Sequence, residues 1–187
     1  MTGLASHSQL RMAFLRYALV TVPLVVLLGT ISGQIANSGY GNPWFDALVK
    51  PDFMPPGWAF GVVWTILYIL LGVVLAMLLH ARGARLRGPA IALFVLQLAC
   101  NYFWSPVFFA LHDIGSALLL LGVMIVLTVT LVVLLWEIRR IAALLMLPYL
   151  GWLCFAAALT LSISTLNSDP GDLARAVTSA DIALQRI

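Results

Sequence analysis

The chain has 187 residues, of which 63% are hydrophobic and 9% are charged, with a formal net charge of +3. Soluble domains carry about 25% charged residues, so this composition excludes an ordinary water-soluble protein and favours a lipid bilayer as the solvent. The basic residues are scattered over short loops, a pattern that indicates orientation in a membrane rather than nucleic-acid binding.

Five apolar stretches are each long enough to cross a bilayer, which takes roughly twenty predominantly apolar residues. The predicted spans are Tyr17–Ile35, Gly57–Leu79, Pro89–Leu111, Ala117–Trp136 and Ile141–Leu166. Backbone groups in hydrocarbon must be hydrogen-bonded internally, which excludes open strands. The predicted fold class is therefore an all-α integral membrane protein, a five-transmembrane-helix bundle, with residues 1–167 forming the membrane domain.

The first span admits two interpretations. An arginine followed by "YALVTVPLVVLLG" and small residues resembles a signal peptide. The apolar character continues to Ile35, which is long for a signal-peptide core, and no clean cleavage site follows. A retained helix is therefore favoured.

Basic residues are unequally divided between the two ends of the predicted helices. One side receives seven and the other three. The first set is Arg11, Arg16, Arg82, Arg85, Arg87, Arg139 and Arg140, and the second is Lys50, Arg175 and Arg186. Because cytoplasmic loops carry the excess of Lys and Arg, we expect a cytoplasmic N-terminus, with the C-terminus and the loop between helices one and two extracytoplasmic.

The second span places glycines and aromatic rings on one face. Gly57, Gly61, Trp64, Tyr68 and Gly72 follow one another at steps of four, three, four and four. Glycine lets another helix or a ligand approach the backbone, and the rings supply rigid surface with a polar handle. Tight helix packing with anchoring at the membrane interface is the alternative explanation.

The third span carries two amides on its apolar helix. Gln97, Asn101, Trp104 and Phe108 share one face. Amides are costly in hydrocarbon without partners, so this face should point into the bundle. The pattern leaves two roles open, hydrogen bonding between helices and contact with a ligand.

The last two spans differ sharply. The fourth has no polar or aromatic stripe, which is typical of a lipid-facing or purely packing helix. The fifth has one, formed by Tyr149, Trp152, Ala156, Thr160 and Asn167. Beyond it, residues 168–187 are predicted to form a short amphipathic or flexible tail.

The second, third and fifth spans each have a face of aromatic, small or polar residues. Together these faces predict an internal cavity lined by rings and a few polar groups, suited to a flat and mostly apolar ligand. His7, His80 and His112 lack paired ligand spacing, so no metal site is expected. No carboxylate lies inside a span, and no phosphate loop or nucleophile motif is present. These patterns disfavour a conventional enzyme or an ion-coupled transporter.

Three ordered blocks, "WFDALVKPDFMPPGWAFGVVWTILY", "QLACNYFWSPVFF" and "PYLGWLCFAAAL", resemble the TspO family of tryptophan-rich sensory proteins, also called translocator proteins or peripheral benzodiazepine receptors. The resemblance implies a five-helix bundle, often a homodimer. It also implies a cavity that binds porphyrins such as protoporphyrin IX and, in many members, benzodiazepine-type drugs. No cofactor is required; the porphyrin is the ligand.

The resemblance also assigns residues to the ligand site. Those of the covering loop are Trp44, Lys50, Pro51, Pro55 and Pro56. Those implied for the cavity are Trp64, Asn101, Trp104, Tyr149, Trp152, Phe155 and Ala156, to which the stripes add Gly61, Tyr68 and Phe108.

The chain departs from the family pattern at several positions. Phe53 and Tyr102 stand where many members have tryptophan, and Thr160 replaces the usual asparagine. The cholesterol motif of animal members, a tyrosine followed by a basic residue after helix five, is absent. Specific cholesterol binding is therefore not supported.

Three functions follow. The first is a membrane receptor or carrier for porphyrins, acting as sensor or translocator. The second is light- or oxygen-dependent porphyrin breakdown, with Trp64 and Trp152 as redox groups. The third is an interaction protein with an incidental cavity, for which the tail after Asp172 would be the functional part.

Overall fold

The computed structural model describes residues 7–167, with side chains from residue 11 onward, and within that range all regular structure is helical. The helices are α1 (His7–Ile35), α2 (Pro43–Ala47), α3 (Gly57–His80), α4 (Arg87–Ser105), α5 (Ile114–Ile138) and α6 (Arg140–Leu166), with a π-helical turn, Pro106–Ala110, continuing α4.

Five of these helices, all but α2, are long and apolar enough to cross a membrane. The predicted five-helix fold class is therefore confirmed. All five of these helices extend past the predicted spans into polar residues, because a helix continues as long as its backbone bonds are made. The predicted tail, residues 168–187, lies outside the described residues.

The five long helices form a ring in the order α1, α3, α6, α5, α4. The closest pairs are α1 with α3 and α5 with α6. The interior is filled by large, fully buried apolar side chains, among them Leu71, Phe94, Met124, Leu131, Met146 and Leu153. Large apolar side chains also remain exposed on the outside of these helices, as expected for surfaces that face lipid.

Side chains close several helix ends. Asn42 caps α2, because its Oδ1 accepts from the Phe45 N–H at 3.1 Å. Asp113 caps α5 in the same way, accepting from the Ser116 N–H at 2.9 Å. The Arg87 guanidinium donates to the last carbonyls of α3. These contacts mark where the helices end and where the loops between them begin.

Candidate functional site

A cavity of about 590 Å³ lies in the half of the bundle that contains the C-terminal end of α1. This volume is within the range of small-molecule pockets. Its walls come from α1, α3, the α4–π-turn segment and α6, and residues of the α1–α3 loop contribute to it. None of its lining residues belongs to α5, consistent with the absence of a stripe on that helix.

Eight of the residues predicted for the ligand site line this cavity. They are Gly61, Trp64, Tyr68, Trp104, Phe108, Trp152, Phe155 and Ala156. Their contact with a ligand remains a prediction.

One wall is built by rings of α3 and α6. Trp64 and Tyr68, four residues apart, stack with their centroids 5.2 Å apart. Trp64 also meets Trp152 edge to face at 6.3 Å, and Trp152 lies 5.3 Å from Phe155. The 3.6-residue period of α3 and α6 therefore brings indoles from two helices to one surface.

A second aromatic surface of the cavity lies where α4 continues into the π-helical turn. Pro106 has no N–H, so it cannot donate to the Tyr102 carbonyl four residues earlier. The Ser32 hydroxyl of α1 donates to that carbonyl instead. Trp104, two residues before the proline in α4, and Phe108, two residues after it in the turn, stack with their centroids 5.2 Å apart and their planes within 13°. The end of α4 and the turn together thus present a flat double-ring surface to the cavity.

The polar groups of the cavity are neutral. Among the described residues that line it there is no charged side chain. The indole Nε1 atoms of Trp104 and Trp152 are buried and have no hydrogen-bond partner within the described chain. Buried donors are normally paired, so these two N–H groups are hydrogen-bond donors that the described chain leaves unused.

Asn101 and Tyr149 lie outside the cavity lining. The Tyr68 hydroxyl donates to Asn101 Oδ1 at 3.1 Å, and Asn101 Nδ2 donates to the Tyr149 hydroxyl at 2.9 Å. Gln97 Nε2 donates to the same hydroxyl. Of the two roles left open for these amides, the geometry shows the first: they join α3, α4 and α6 by hydrogen bonds.

The loop between α1 and α3, residues 36–56, covers one end of the cavity and is termed the cover. The large side chains of the cover that line the cavity are those of Phe45 and Met54. The lining does not include the predicted residues Trp44, Lys50, Pro51, Pro55 and Pro56. Trp44 is 2% exposed and packs against Phe108 and His112, with centroids at 5.4 and 4.6 Å. Because Phe108 lines the cavity, Trp44 supports the cavity wall from behind. Burial lowers the pKa of the neighbouring His112 below its ordinary value.

Lys50 is bonded within the cover. Its Nζ donates to the carbonyls of Phe45, Asp46 and Leu48 at 2.7, 3.1 and 3.1 Å. Desolvation lowers the pKa of this ammonium group, against the opposing effect of the Asp46 carboxylate. The residue closes the C-terminal end of α2.

Two asparagines fasten the cover to the bundle. Asn42 Nδ2 donates to the Phe109 carbonyl at 3.3 Å. Asn167, at the end of α6, accepts from the Val49 N–H and donates to the Val49 carbonyl, both at 3.0 Å. Asn167, predicted as part of the α6 stripe, thus holds the loop rather than lining the cavity.

Sequence reasoning missed the contribution of α1. Gly29 allows the Tyr68 ring to lie directly against the helix, since a Cβ there would fall 2.3 Å from the ring. The spacing of Gly29 and Gly33 in "GTISG" was the available signal. The lining residues of α1 and the segment after it are Gly29, Thr30, Gly33, Gln34, Asn37, Ser38 and Gly39. Also missed were Phe45, Met54, Phe60, Thr65, Ser105, Phe109, Leu159 and Ile163.

Comparison with known proteins gives consistent matches over the membrane domain. The model of the TspO/MBR family matches residues 20–166. Protein CrtK of Rhodobacter capsulatus is 35% identical over 142 residues, covering 75% of this chain and 86% of the relative. Tryptophan-rich protein TspO of Archaeoglobus fulgidus is 35% identical over 150 residues, covering 80% and 97%. The human translocator protein is 32% identical over 134 residues, covering 71% and 79%.

Proposed function

Because the chain belongs to the TspO/MBR family of multi-pass membrane proteins, we propose that its cavity binds porphyrins of the protoporphyrin IX type. In this proposal the protein is a receptor or carrier, serving as a sensor or translocator. The names of its relatives, tryptophan-rich sensory protein and translocator protein, are compatible with both roles.

The observation that carries the proposal is the pair of aromatic walls. Trp64 with Trp152, and the stacked Trp104 and Phe108, line the same cavity and offer apolar ring surface for a macrocycle. The indole N–H groups of Trp104 and Trp152, buried and without a partner in the described chain, are the donors that we propose for its polar atoms. Because no charged side chain lines the cavity, the propionates of a bound porphyrin should remain at its mouth.

The test is a titration of the full chain in nanodiscs with protoporphyrin IX in the dark, following tryptophan fluorescence. We expect saturable binding that weakens about 3- to 10-fold in Trp152→Phe, because one ring contact and one donor change. Trp58→Phe is the matched control, since Trp58 is 73% exposed and outside the cavity lining. Absence of saturable binding, or equal weakening in both variants, would contradict the proposal.

A second candidate function, porphyrin breakdown, is favoured by the edge-to-face contact of Trp64 and Trp152 at 6.3 Å. Two adjacent indoles beside a photoexcited macrocycle could donate an electron, with dioxygen as the co-reactant. Illuminating the same complex in air distinguishes the functions. Loss of the porphyrin absorption bands that is abolished in Trp64→Phe or Trp152→Phe would favour an enzyme, whereas an unchanged spectrum would favour a receptor.

We further propose that the N-terminus is cytoplasmic and that the cover and C-terminus are extracytoplasmic, as the excess of arginine at the opposite end suggests. The cavity would then open away from the cytoplasm. A cysteine placed at Arg85 should resist an impermeant thiol reagent in intact cells, and one placed at Asp52 should react. The reverse labelling pattern would overturn the orientation.

A further inference from the structure

Four residues form a chain of contacts at the end of the bundle opposite the cavity, here termed the basic cleft: Tyr17, His80, Arg82 and Arg139. Arg82 Nη2 donates to the Tyr17 hydroxyl at 2.6 Å. Arg139 Nη2 lies 3.2 Å from His80 Nδ1, and the His80 ring meets that of Tyr17 edge to face at 6.4 Å. The cleft thus joins α1, the end of α3 and the α5–α6 junction.

We propose that the basic cleft binds the headgroup phosphate of an anionic phospholipid in the adjacent leaflet. The hydrogen-bonding capacity of its arginines is the first argument. A guanidinium has five N–H donors and no acceptor, so His80 Nδ1 is the acceptor in its contact with Arg139. The structure shows one side-chain partner for Arg82 and one for Arg139. The remaining donors suit two-point contact with phosphate oxygens.

The second argument is uncompensated charge. The two side-chain partners, the Tyr17 phenol and the His80 imidazole, carry no negative charge. Seven arginines lie at this end of the described chain, against a single acidic residue, Glu137. No ion pair forms between Glu137 and an arginine within the described residues. The described chain does not balance this charge, so the basic cleft favours an anion from outside the chain.

The third argument is position, which favours lipid as the source of the phosphate. The cleft lies at the ends of membrane-spanning helices, and the nearby Arg140 guanidinium sits 5.7 Å from the centroid of the Trp136 ring, an arrangement typical of the membrane interface. Headgroup phosphates are concentrated at this depth. A zwitterionic lipid would bring a further cation to an already cationic rim, so an anionic headgroup is the better complement.

The experiment measures the association of spin-labelled phosphatidylglycerol, relative to spin-labelled phosphatidylcholine, with the full chain in phosphatidylcholine bilayers. We expect the wild type to prefer phosphatidylglycerol, and Arg82→Gln and Arg139→Gln each to reduce this preference about fivefold. Arg85→Gln is the control, because it removes the same charge from an exposed position in the same loop and Arg85 lies outside the contact chain. Arg139→Lys keeps the charge but loses the planar guanidinium group with its paired donors. Its preference for phosphatidylglycerol should lie between those of the wild type and Arg139→Gln.

Equal losses in the cleft variants and in Arg85→Gln would reduce the effect to diffuse charge attraction and overturn the site. An unchanged preference in both cleft variants would also overturn it. Displacement of the labelled lipid by millimolar inorganic phosphate at constant ionic strength would assign the cleft to a soluble anion instead. Thermal unfolding of each variant serves as the folding check. If Arg139→Gln is unfolded, the test rests on Arg82→Gln, because Arg82 is exposed and lies in the loop after α3.

Discussion

The ammonium group of Lys50 has three N–H donors, and the structure provides three backbone carbonyls of the cover as acceptors. It also lies 4.8 Å from the centroid of the Phe45 ring. The family resemblance implies that this lysine belongs to the pocket-covering loop. The three hydrogen bonds indicate that Lys50 stabilises the conformation of the cover, which includes the lining residues Phe45 and Met54.

This interpretation predicts the behaviour of Lys50→Met. Loss of the donors leaves carbonyls of the cover unpaired, so affinity should fall roughly fivefold for protoporphyrin IX and equally for its uncharged dimethyl ester. The measurement is a pair of fluorescence titrations. A loss confined to the free acid would show that Lys50 forms an ion pair with the ligand.

The burial and hydrogen bonds of Tyr149 lead us to expect a role in stability for this residue. Its side chain is fully buried, and its hydroxyl accepts from Asn101 and Gln97. Tyr149→Phe leaves these amide donors unpaired, for which we expect a loss of about 1 kcal/mol in the free energy of unfolding. Porphyrin affinity should stay unchanged, because Tyr149 is outside the cavity lining. Thermal unfolding in detergent and a titration measure the two quantities; weaker binding at unchanged stability would make Tyr149 a ligand contact.

At the scale of helices, α1 and α3 approach each other closely at one glycine. A Cβ at Gly72 would lie 2.6 Å from the Cα of Val22, and the Thr21 hydroxyl donates to the Gly72 carbonyl at 2.8 Å. The contact is between backbones, so it cannot be relieved by turning a side chain. This junction positions the α1 wall of the cavity against Trp64 and Tyr68.

Gly72→Ala should therefore separate the two helices and lower the free energy of unfolding by about 1–3 kcal/mol. Gly61→Ala is the matched control on the same helix, because nothing lies within 4 Å of the position that its new methyl group would take, and its stability should stay near wild type. Thermal unfolding of both variants in the same detergent is the measurement. Equal stability of the two would show that the α1–α3 contact relaxes without cost.

At the scale of the whole molecule, the cover connects parts of the chain that are far apart in sequence. Asn42 reaches the end of the π-helical turn, and Asn167 holds both backbone groups of Val49, 118 positions away. A ligand leaving through this end of the cavity must displace a segment held by both asparagines.

Asn167→Ala should accelerate porphyrin dissociation about 5- to 30-fold, because two hydrogen bonds of about 1 kcal/mol each are lost. The measurement is stopped-flow displacement of bound porphyrin. Thr165→Ala is the control: its exposed hydroxyl bonds within α6, to the Ser162 carbonyl, and does not contact the cover. If both variants release porphyrin at the wild-type rate, exchange does not proceed through the cover.

Much of the architecture was predictable, since hydropathy and spacing are local properties of a chain. The five spans and the shared faces of Trp64 with Tyr68 and of Trp104 with Phe108 follow from length and the 3.6-residue period. The short helix α2 and the π-helical turn did not follow. Helix α2 depends on its cap by Asn42. At the π-helical turn, Pro106 has no N–H to donate to the Tyr102 carbonyl, and the Ser32 hydroxyl of α1 donates to it instead.

The composition and periodicity of this chain were sufficient to establish a membrane bundle with aromatic faces turned inward, because a helix in hydrocarbon must satisfy its own backbone and bury its polar stripes. They could not distinguish Asn101, which bonds to neighbouring helices, from Trp104, which lines the cavity, although both lie on one stripe. Nor could they show that Asn167 would hold the cover. The partner of a buried polar group depends on which helices face it and at what distance, and those are properties of the packed bundle.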